Sequence, residues 1–265
     1  MNFNNNARIS SALNQLFSKI RTYPLDIGKM TRSKLLINTL NTHSFITALN
    51  DPVFYNALLE SDIVIPDGVG VVFGIKVLFG EKIKKIAGYD LFELEMEKLN
   101  SSNGKCFFLG SSLNVLNLIV RRARVEYPNV IIDFYSPPFK SEFTNEENEL
   151  MIKTINNFSP DVLFIGMTAP KQEKWAFSNF NKLQVRHVCC IGAVFDYYAG
   201  TIKRAPKWMI NNGFEWMYRL ISEPRRMWRR YLINNLKFVL IVLKEKQKRI
   251  SGKFKEGNSG GDFRF

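Results

Sequence analysis

The sequence predicts an α/β fold: a Rossmann-like, mostly parallel sheet with helices on both faces, followed by a basic α-helical C-terminal appendage. Three observations carry that expectation. Between Lys34 and Gly192, short apolar runs alternate with longer amphipathic stretches, the pattern of strands joined by crossover helices. The runs are apolar throughout rather than at every second residue, as strands buried on both faces read. The charge is also divided. Residues 1–200 hold 21 Lys and Arg against 19 Asp and Glu, and residues 201–265 hold 16 against 5, so most of the formal net charge of +13 lies in the last quarter.

The elements follow in order. Residues 1–33 are polar, with an amphipathic stretch from Ser11 to Ile20 and no legible role. Lys34–Asn38 is the first buried strand, and His43 enters a helix after it. Asp51-Pro52 opens a helix to about Glu60. Asp62–Pro66 is a strand that delivers Asp67-Gly68 to its carboxyl end. A helix over Gly70–Phe79, a basic loop (E-K-I-K-K-I) and a helix over Tyr89–Leu99 come next.

Lys105–Leu109 is the following strand, and Ser111-Ser112 can cap the helix carrying Leu113, Leu116, Ile119 and Val120. Val130–Tyr135 reads as a strand, then the loop S-P-P-F, then a helix over Thr144–Phe158. Asp161–Gly166 and Val185–Gly192 are two more apolar runs closed by Gly. Between them Pro170 sits where a first helical residue would, with Glu173 in the first turn and Trp175 and Phe177 to bury. From Trp208 the pattern is helical, basic and aromatic, and Pro224 should divide it. We divide the chain into a catalytic α/β unit over 1–205, a basic amphipathic helical appendage over 206–250, and a tail over 251–265 whose Gly, Ser and Lys content favours disorder.

Composition closes several routes. Cys106, Cys189 and Cys190 all fall in apolar runs. The adjacent pair points to opposite faces of a strand, so buried reduced thiols are expected. The N-terminus, M-N-F-N-N-N-A-R, lacks the design of a signal peptide. Leu236–Leu243, interrupted by Lys237, is far short of a spanning helix. His43 and His187 are the only histidines and share no cluster, which argues against a histidine triad or zinc site. Neither G-x-G-x-x-G nor G-x-x-x-x-G-K-[ST] is present, and no Asp-x-Asp pair could hold a divalent ion on a diphosphate.

Ligands of open α/β sheets bind beyond the carboxyl ends of the strands. That places Thr39, Asn41, Asp67, Lys171, Gln172, Asp196, Lys203 and Arg204 at the crevice. Asp67 could act as a general base toward a hydroxyl, or simply cap the next helix. Gln172 could hold a sugar or phosphate, or be an exposed polar residue beside Lys171. Asp196 could hold a ribose or base edge, or cap a turn, and Thr39 and Asn41 carry the same two readings. A diphosphate here would need Lys, Arg and helix amides for neutralisation. In the appendage, Met217, Leu220, Ile221, Trp228, Tyr231 and Leu232 stand beside Arg219, Arg225, Arg226, Arg229 and Arg230. That mixture suits a lipid interface, or a helix packed on the body with its arginines solvated.

Several long segments together resemble one family. P-D-G-V-G-V-V, G-Y-D-L, G-M-T-A-P-K-Q-E-K-W, G-A-V-F-D-Y-Y-A-G-T-I-K-R-A-P and G-F-E-W-M-Y-R-L-I-S-E-P-R-R-M-W-R-R-Y-L occur in the order seen in the WecG/TagA/CpsF bacterial glycosyltransferases, over roughly Lys34 to Leu232. The resemblance implies an inverting transferase that needs no metal or cofactor. Such an enzyme moves a sugar, often of N-acetylmannosamine type, from a UDP-sugar to a polyprenyl-diphosphate-linked sugar at the cytoplasmic membrane face. It implies Asp67 as general base, Thr39 and Asn41 as a first-strand polar cluster, Gln172 in the cleft and Asp196 near the nucleotide. Arg219, Arg226 and Arg229 would be appendage arginines meeting the diphosphate. Thr39-Leu40-Asn41 replaces the family's usual Thr-Pro-Asn, and S-P-P-F its usual Gly-Tyr-Phe. The expected partners are the UDP-sugar, the lipid-linked acceptor and an anionic membrane surface met by the appendage, with no nucleic acid, and the apolar tail leaves room for a homo-oligomer. An α/β oxidoreductase or a basic nucleic-acid-binding module is the alternative.

Overall fold

The computed structural model describes residues 3–20 and 34–258. In chain order, helix α1 (Phe3–Ser18) precedes strand β1 (Leu35–Leu40). Helices α2 (Thr42–Ala48) and α3 (Pro52–Leu59) lead to β2 (Ile63–Pro66). Helices α4 (Val69–Phe79) and α5 (Gly88–Ser102) lead to β3 (Lys105–Gly110), α6 (Leu113–Glu126) to β4 (Ile131–Tyr135), and α7 (Asn145–Phe158) to β5 (Val162–Gly166). Then come α8 (Lys171–Asn179), β6 (His187–Cys190) and α9 (Val194–Ala199). The C-terminal region holds α10 (Lys207–Asn211), α11 (Glu215–Ser222), α12 (Pro224–Trp228), a π-helical turn (Arg229–Ile233) and the long α13 (Asn234–Asn258).

The helix starts have local causes. Asn41, Asp51, Ser112 and Thr144 each accept a first-turn amide through the side chain, which satisfies a donor the helix leaves unpaired. Pro52 and Pro224 occupy first-turn positions, where the missing N–H costs nothing. Pro170 sits one residue earlier than expected, at the N-cap of α8. Trp175 is buried as expected, whereas Phe177 is only half-buried.

Among the described residues, six strands pair in parallel in the order β2-β1-β6-β5-β3-β4. Successive strand residues feed opposite layers. Leu35, Ile37 and Cys189 join Phe92, Phe108 and Phe195 under α5, α6 and α9. Leu36, Val188 and Cys190 join Met151, Leu163 and Trp175 under α7 and α8. The two adjacent cysteines therefore do face opposite layers, and all three cysteines are free and buried.

A third apolar layer lies at the β2 edge of the sheet. Leu13, Leu16 and Phe17 of α1 pack with Phe45, Val71, Ile75, Phe238 and Val242. Thus α1 is longer than the amphipathic stretch read from sequence, and its apolar face completes a core. Residues 21–33 lie outside the described residues. At the other end, α13 spans Asn234–Asn258; residues 259–265 lie outside the described residues. Pro224 does divide the basic helical stretch, and Gly213, with a φ of 77°, adds an earlier break.

Candidate active site

The carboxyl ends of β1, β2, β5 and β6 open into a cavity of about 460 Å³, roofed by α11, α12 and the π-helical turn. Thr39, Asn41, Asp67, Gln172, Asp196, Arg219, Arg226 and Arg229 all line it. Residues scattered over most of the chain are thereby brought to one crevice. Two neighbours expected there are not among its lining residues. Lys171 turns away to donate to the Lys140 carbonyl at 2.6 Å and to stand 3.7 Å from the Phe143 ring centroid, held by the loop after β4. Lys203 is absent from the lining, whereas its neighbour Arg204 contributes to it.

Asp67 follows directly on β2, its backbone N–H bonded to the Leu40 carbonyl at 2.9 Å. The next residue, Gly68, takes a φ of 109° and is itself the N-cap of α4, with no side-chain cap. The left-handed turn that only Gly adopts freely therefore relieves Asp67 of capping and leaves its carboxylate to the cavity. Burial pushes its carboxyl above the usual range and the Glu215 carboxylate adds to the rise, against the pull of Lys85, Arg230 and Arg219.

Asn41 does cap: its Oδ1 accepts the Ser44 N–H at 2.9 Å. Gln172 is buried, which overturns the reading of an exposed polar pair. Its Oε1 accepts the Met167 N–H at 3.2 Å, and its Nε2 donates to Glu173 Oε1 at 2.8 Å. The amide is thus oriented with its nitrogen toward Glu173. Asp196, in the first turn of α9, has its carboxyl raised chiefly by burial, with Arg226 opposing.

The roof is cationic. Arg226 pairs with Glu223 at 2.8 Å. Arg219 lies 5.5 Å from the Tyr197 ring centroid and Arg229 5.2 Å from that of Trp228. Arg230 was not singled out from sequence, yet it lines the same cavity and burial holds its pKa below the ordinary guanidinium value. The Nε atoms of Arg204, Arg219 and Arg230, the Tyr197 hydroxyl and Glu173 Oε2 are buried without a hydrogen-bond partner in the protein. Such atoms are uncommon in folded proteins. Here five of them converge on one cavity.

Other lining groups also escaped the sequence reading. Glu173 is 1% exposed, and burial raises its carboxyl to about 7. His43 accepts from Asn234 Nδ2 at 2.6 Å, and burial, reinforced by Arg230, lowers it to about 4, so its imidazole is neutral at pH 7. Lys85 pairs with Glu215 at 2.9 Å, and Arg204 Nε lies 3.6 Å from the same carboxylate. The His43–Asn234 and Lys85–Glu215 contacts link residues far apart in the chain, so spacing carries no signal for them; Arg204 is already placed at the crevice by its position beyond the last strand. Among the described residues, no group of three or more His, Cys, Asp or Glu is placed to hold a metal ion. Chemically, the cavity offers a carboxylate of raised proton affinity beneath several guanidinium groups. It can take a proton from one partner while holding negative charge on another.

A family model described as Glycosyl transferase WecG/TagA/CpsF family matches residues 18–252. An N-acetylglucosaminyldiphosphoundecaprenol N-acetyl-beta-D-mannosaminyltransferase of Bacillus subtilis (strain 168) is 34% identical over 215 residues, 81% of this chain and 81% of the relative. The protein of the same name from Bacillus spizizenii is 29% identical, covering 90% of this chain and 89% of its own. One from Staphylococcus aureus (strain MW2) is 25% identical over 89% of each.

Proposed function

The chain belongs to the WecG/TagA/CpsF glycosyltransferase family, and from that premise we propose that it moves an N-acetylmannosamine-type sugar from UDP to a polyprenyl-diphosphate-linked N-acetylglucosamine during cell-surface polymer synthesis. The observation that carries this reading is the gathering of Asp67 in one cavity with Arg204, Arg219 and Arg230, whose buried Nε atoms have no hydrogen-bond partner in the protein. Asp67 takes the proton of the acceptor hydroxyl as its oxygen attacks the anomeric carbon. The bond from that carbon to the diphosphate breaks on the opposite face, so the configuration inverts. Charge growing on the departing diphosphate is met by Arg219, Arg229 and Arg230. The uncapped N-termini of α4 and α8 add backbone amides at the same crevice. Preorganised donors of this kind are worth about 10²–10³ in turnover each, which supports a reaction without a metal.

Gln172, Thr39 and Asn41 then orient the sugars, and Asp196 the nucleoside. With the family assigned, the oxidoreductase alternative falls. The inward aim of Arg219 and Arg230 disfavours the nucleic-acid alternative, because phosphate-backbone binding needs cations on the surface. The test is transfer from UDP-N-acetylmannosamine to a short-chain lipid-diphosphate-N-acetylglucosamine. Asp67→Asn should abolish transfer and leave UDP-induced thermal stabilisation in place. Full turnover in that variant removes Asp67 as the base.

The acceptor lives in a bilayer, and we infer that α13 meets it. No helix among the described residues is long and apolar enough to cross a membrane. Along α13, however, Leu236, Leu240, Leu243 and Ile250 are exposed. At helical spacing they form one row about 21 Å long, opposite the buried Phe238, Val242 and Glu245. Exposed Lys237, Lys244 and Lys246 flank the row, the arrangement of a helix lying in an anionic interface. Paired Leu240→Glu and Leu243→Glu changes should release the protein from vesicles containing phosphatidylglycerol; retention equal to wild type would refute this placement.

A further inference from the structure

Glu215, the first residue of α11, belongs to the segment that roofs the cavity, yet its contacts are with the body. Its Oε2 lies 2.9 Å from Lys85 Nζ and its Oε1 3.6 Å from Arg204 Nε. Both partners are firmly placed. Lys85 precedes Ile86, whose N–H donates at 3.0 Å to the carbonyl of Pro66, the residue before Asp67. Arg204 lies over the Tyr89 ring, 4.3 Å from its centroid, and reaches Asp90 at 3.9 Å. One carboxylate thus ties the roof to the loop that frames the base.

The groups around the two acids can be named. Asp67 is faced by Glu215 and Arg219 from α11, by Lys85 from the loop after α4, and by Arg230 from the π-helical turn. Glu215 is faced by Lys85, Arg204 and Arg219, which outweigh its burial and hold its carboxyl below the usual range; Tyr197 also stands near it. So Glu215 stays ionised at neutral pH while Asp67 gains proton affinity. Two carboxyls driven apart in this way are the mark of divided roles.

We propose that Glu215 is a positioning residue for the transfer reaction: it seats the 207–233 segment on the body through Lys85 and Arg204, and in doing so it brings a negative charge within reach of Asp67. The base is then fully competent only when the roof is docked. This rests on Asp67 acting as the base.

The test compares Glu215→Gln with Lys85→Met by the pH dependence of kcat/KM for sugar transfer. Both substitutions break the Lys85–Glu215 pair, although Lys85→Met leaves the Arg204 contact with Glu215 in place. They remove opposite charges from the neighbourhood of Asp67. Glu215→Gln should move the acid limb to lower pH and Lys85→Met should move it to higher pH, each by up to about 1 pH unit, with a loss of about tenfold in kcat for Glu215→Gln. Limbs that stay put, or move together, overturn the proposal and leave Glu215 a mechanical clamp. Glu215→Asp, which keeps the charge, should recover the wild-type limb if either variant folds poorly. Asp67→Asn separates the two ideas, because substantial turnover there defeats the base assignment whatever Glu215 does.

Discussion

The C-terminal region is basic from end to end, but its two halves are held in different ways. Helix α13 drives Phe238 and Val242, both fully buried, into the layer formed by α1, α2 and α4. Glu245 accepts from Ser10 at 2.5 Å and pairs with Arg249 at 3.3 Å. The 207–233 segment buries only Met209 and Met227 among its apolar side chains, and it carries the partnerless Nε atoms of Arg219 and Arg230. One half is held by packing, the other by ion pairs, with cavity-facing guanidinium groups left over. Hydrophobic burial is insensitive to what occupies the cavity, whereas unpaired guanidinium groups are not. The proposed function therefore predicts that the segment over the cleft is the part whose stability depends on substrate.

Phe238→Ala offers the hardest test of that contrast. A cavity in a closed core should cost about 3–5 kcal/mol in denaturant unfolding. Trp228→Ala, at a site 42% exposed, should cost far less. Equal costs would dissolve the distinction between the halves. The next effect is kinetic. Arg230→Met should lower kcat by about 10²–10³-fold and leave the melting temperature close to that of the wild type, because its buried Nε makes no hydrogen bond in the protein. A variant that is both inactive and strongly destabilised would place Arg230 among the structural residues. The smallest effect is expected on the outer row of α13. Leu240→Ser should change stability by no more than about 0.5 kcal/mol, since its side chain already faces water; a larger loss would mean that the row is packed rather than presented.

Much of the body was legible because a buried parallel strand leaves an unmistakable run, as in D-V-L-F-I-G or D-I-V-I-P. Asp67 could be placed at the crevice from its position after such a run, although only the φ of Gly68 showed that it does not cap α4. The appendage was harder to read. A π-helical turn over Arg229–Ile233 adds a residue to the helical repeat, so counting by 3.6 cannot say which of four clustered arginines turns inward. Arg230 was hidden for that reason. Lys85 and Glu215 lie 130 positions apart, and each alone looks like an ordinary solvated charge. Helix α1 was read short because its first turns, N-N-N-A-R, are polar; its buried residues, Leu13, Leu16 and Phe17, come later.

The double-sided character of α13 has a colloidal consequence. Its inner side is locked in place, so the leucine row cannot be tucked away by repacking when no bilayer is present. In dilute buffer, mutual repulsion between the lysines bordering the row opposes contact between copies. At about 1 M salt that repulsion reaches only about 3 Å, and two copies can then meet row against row. The expected outcome is self-association that rises with salt while the shape of the chain stays the same, which light scattering across a salt series checks.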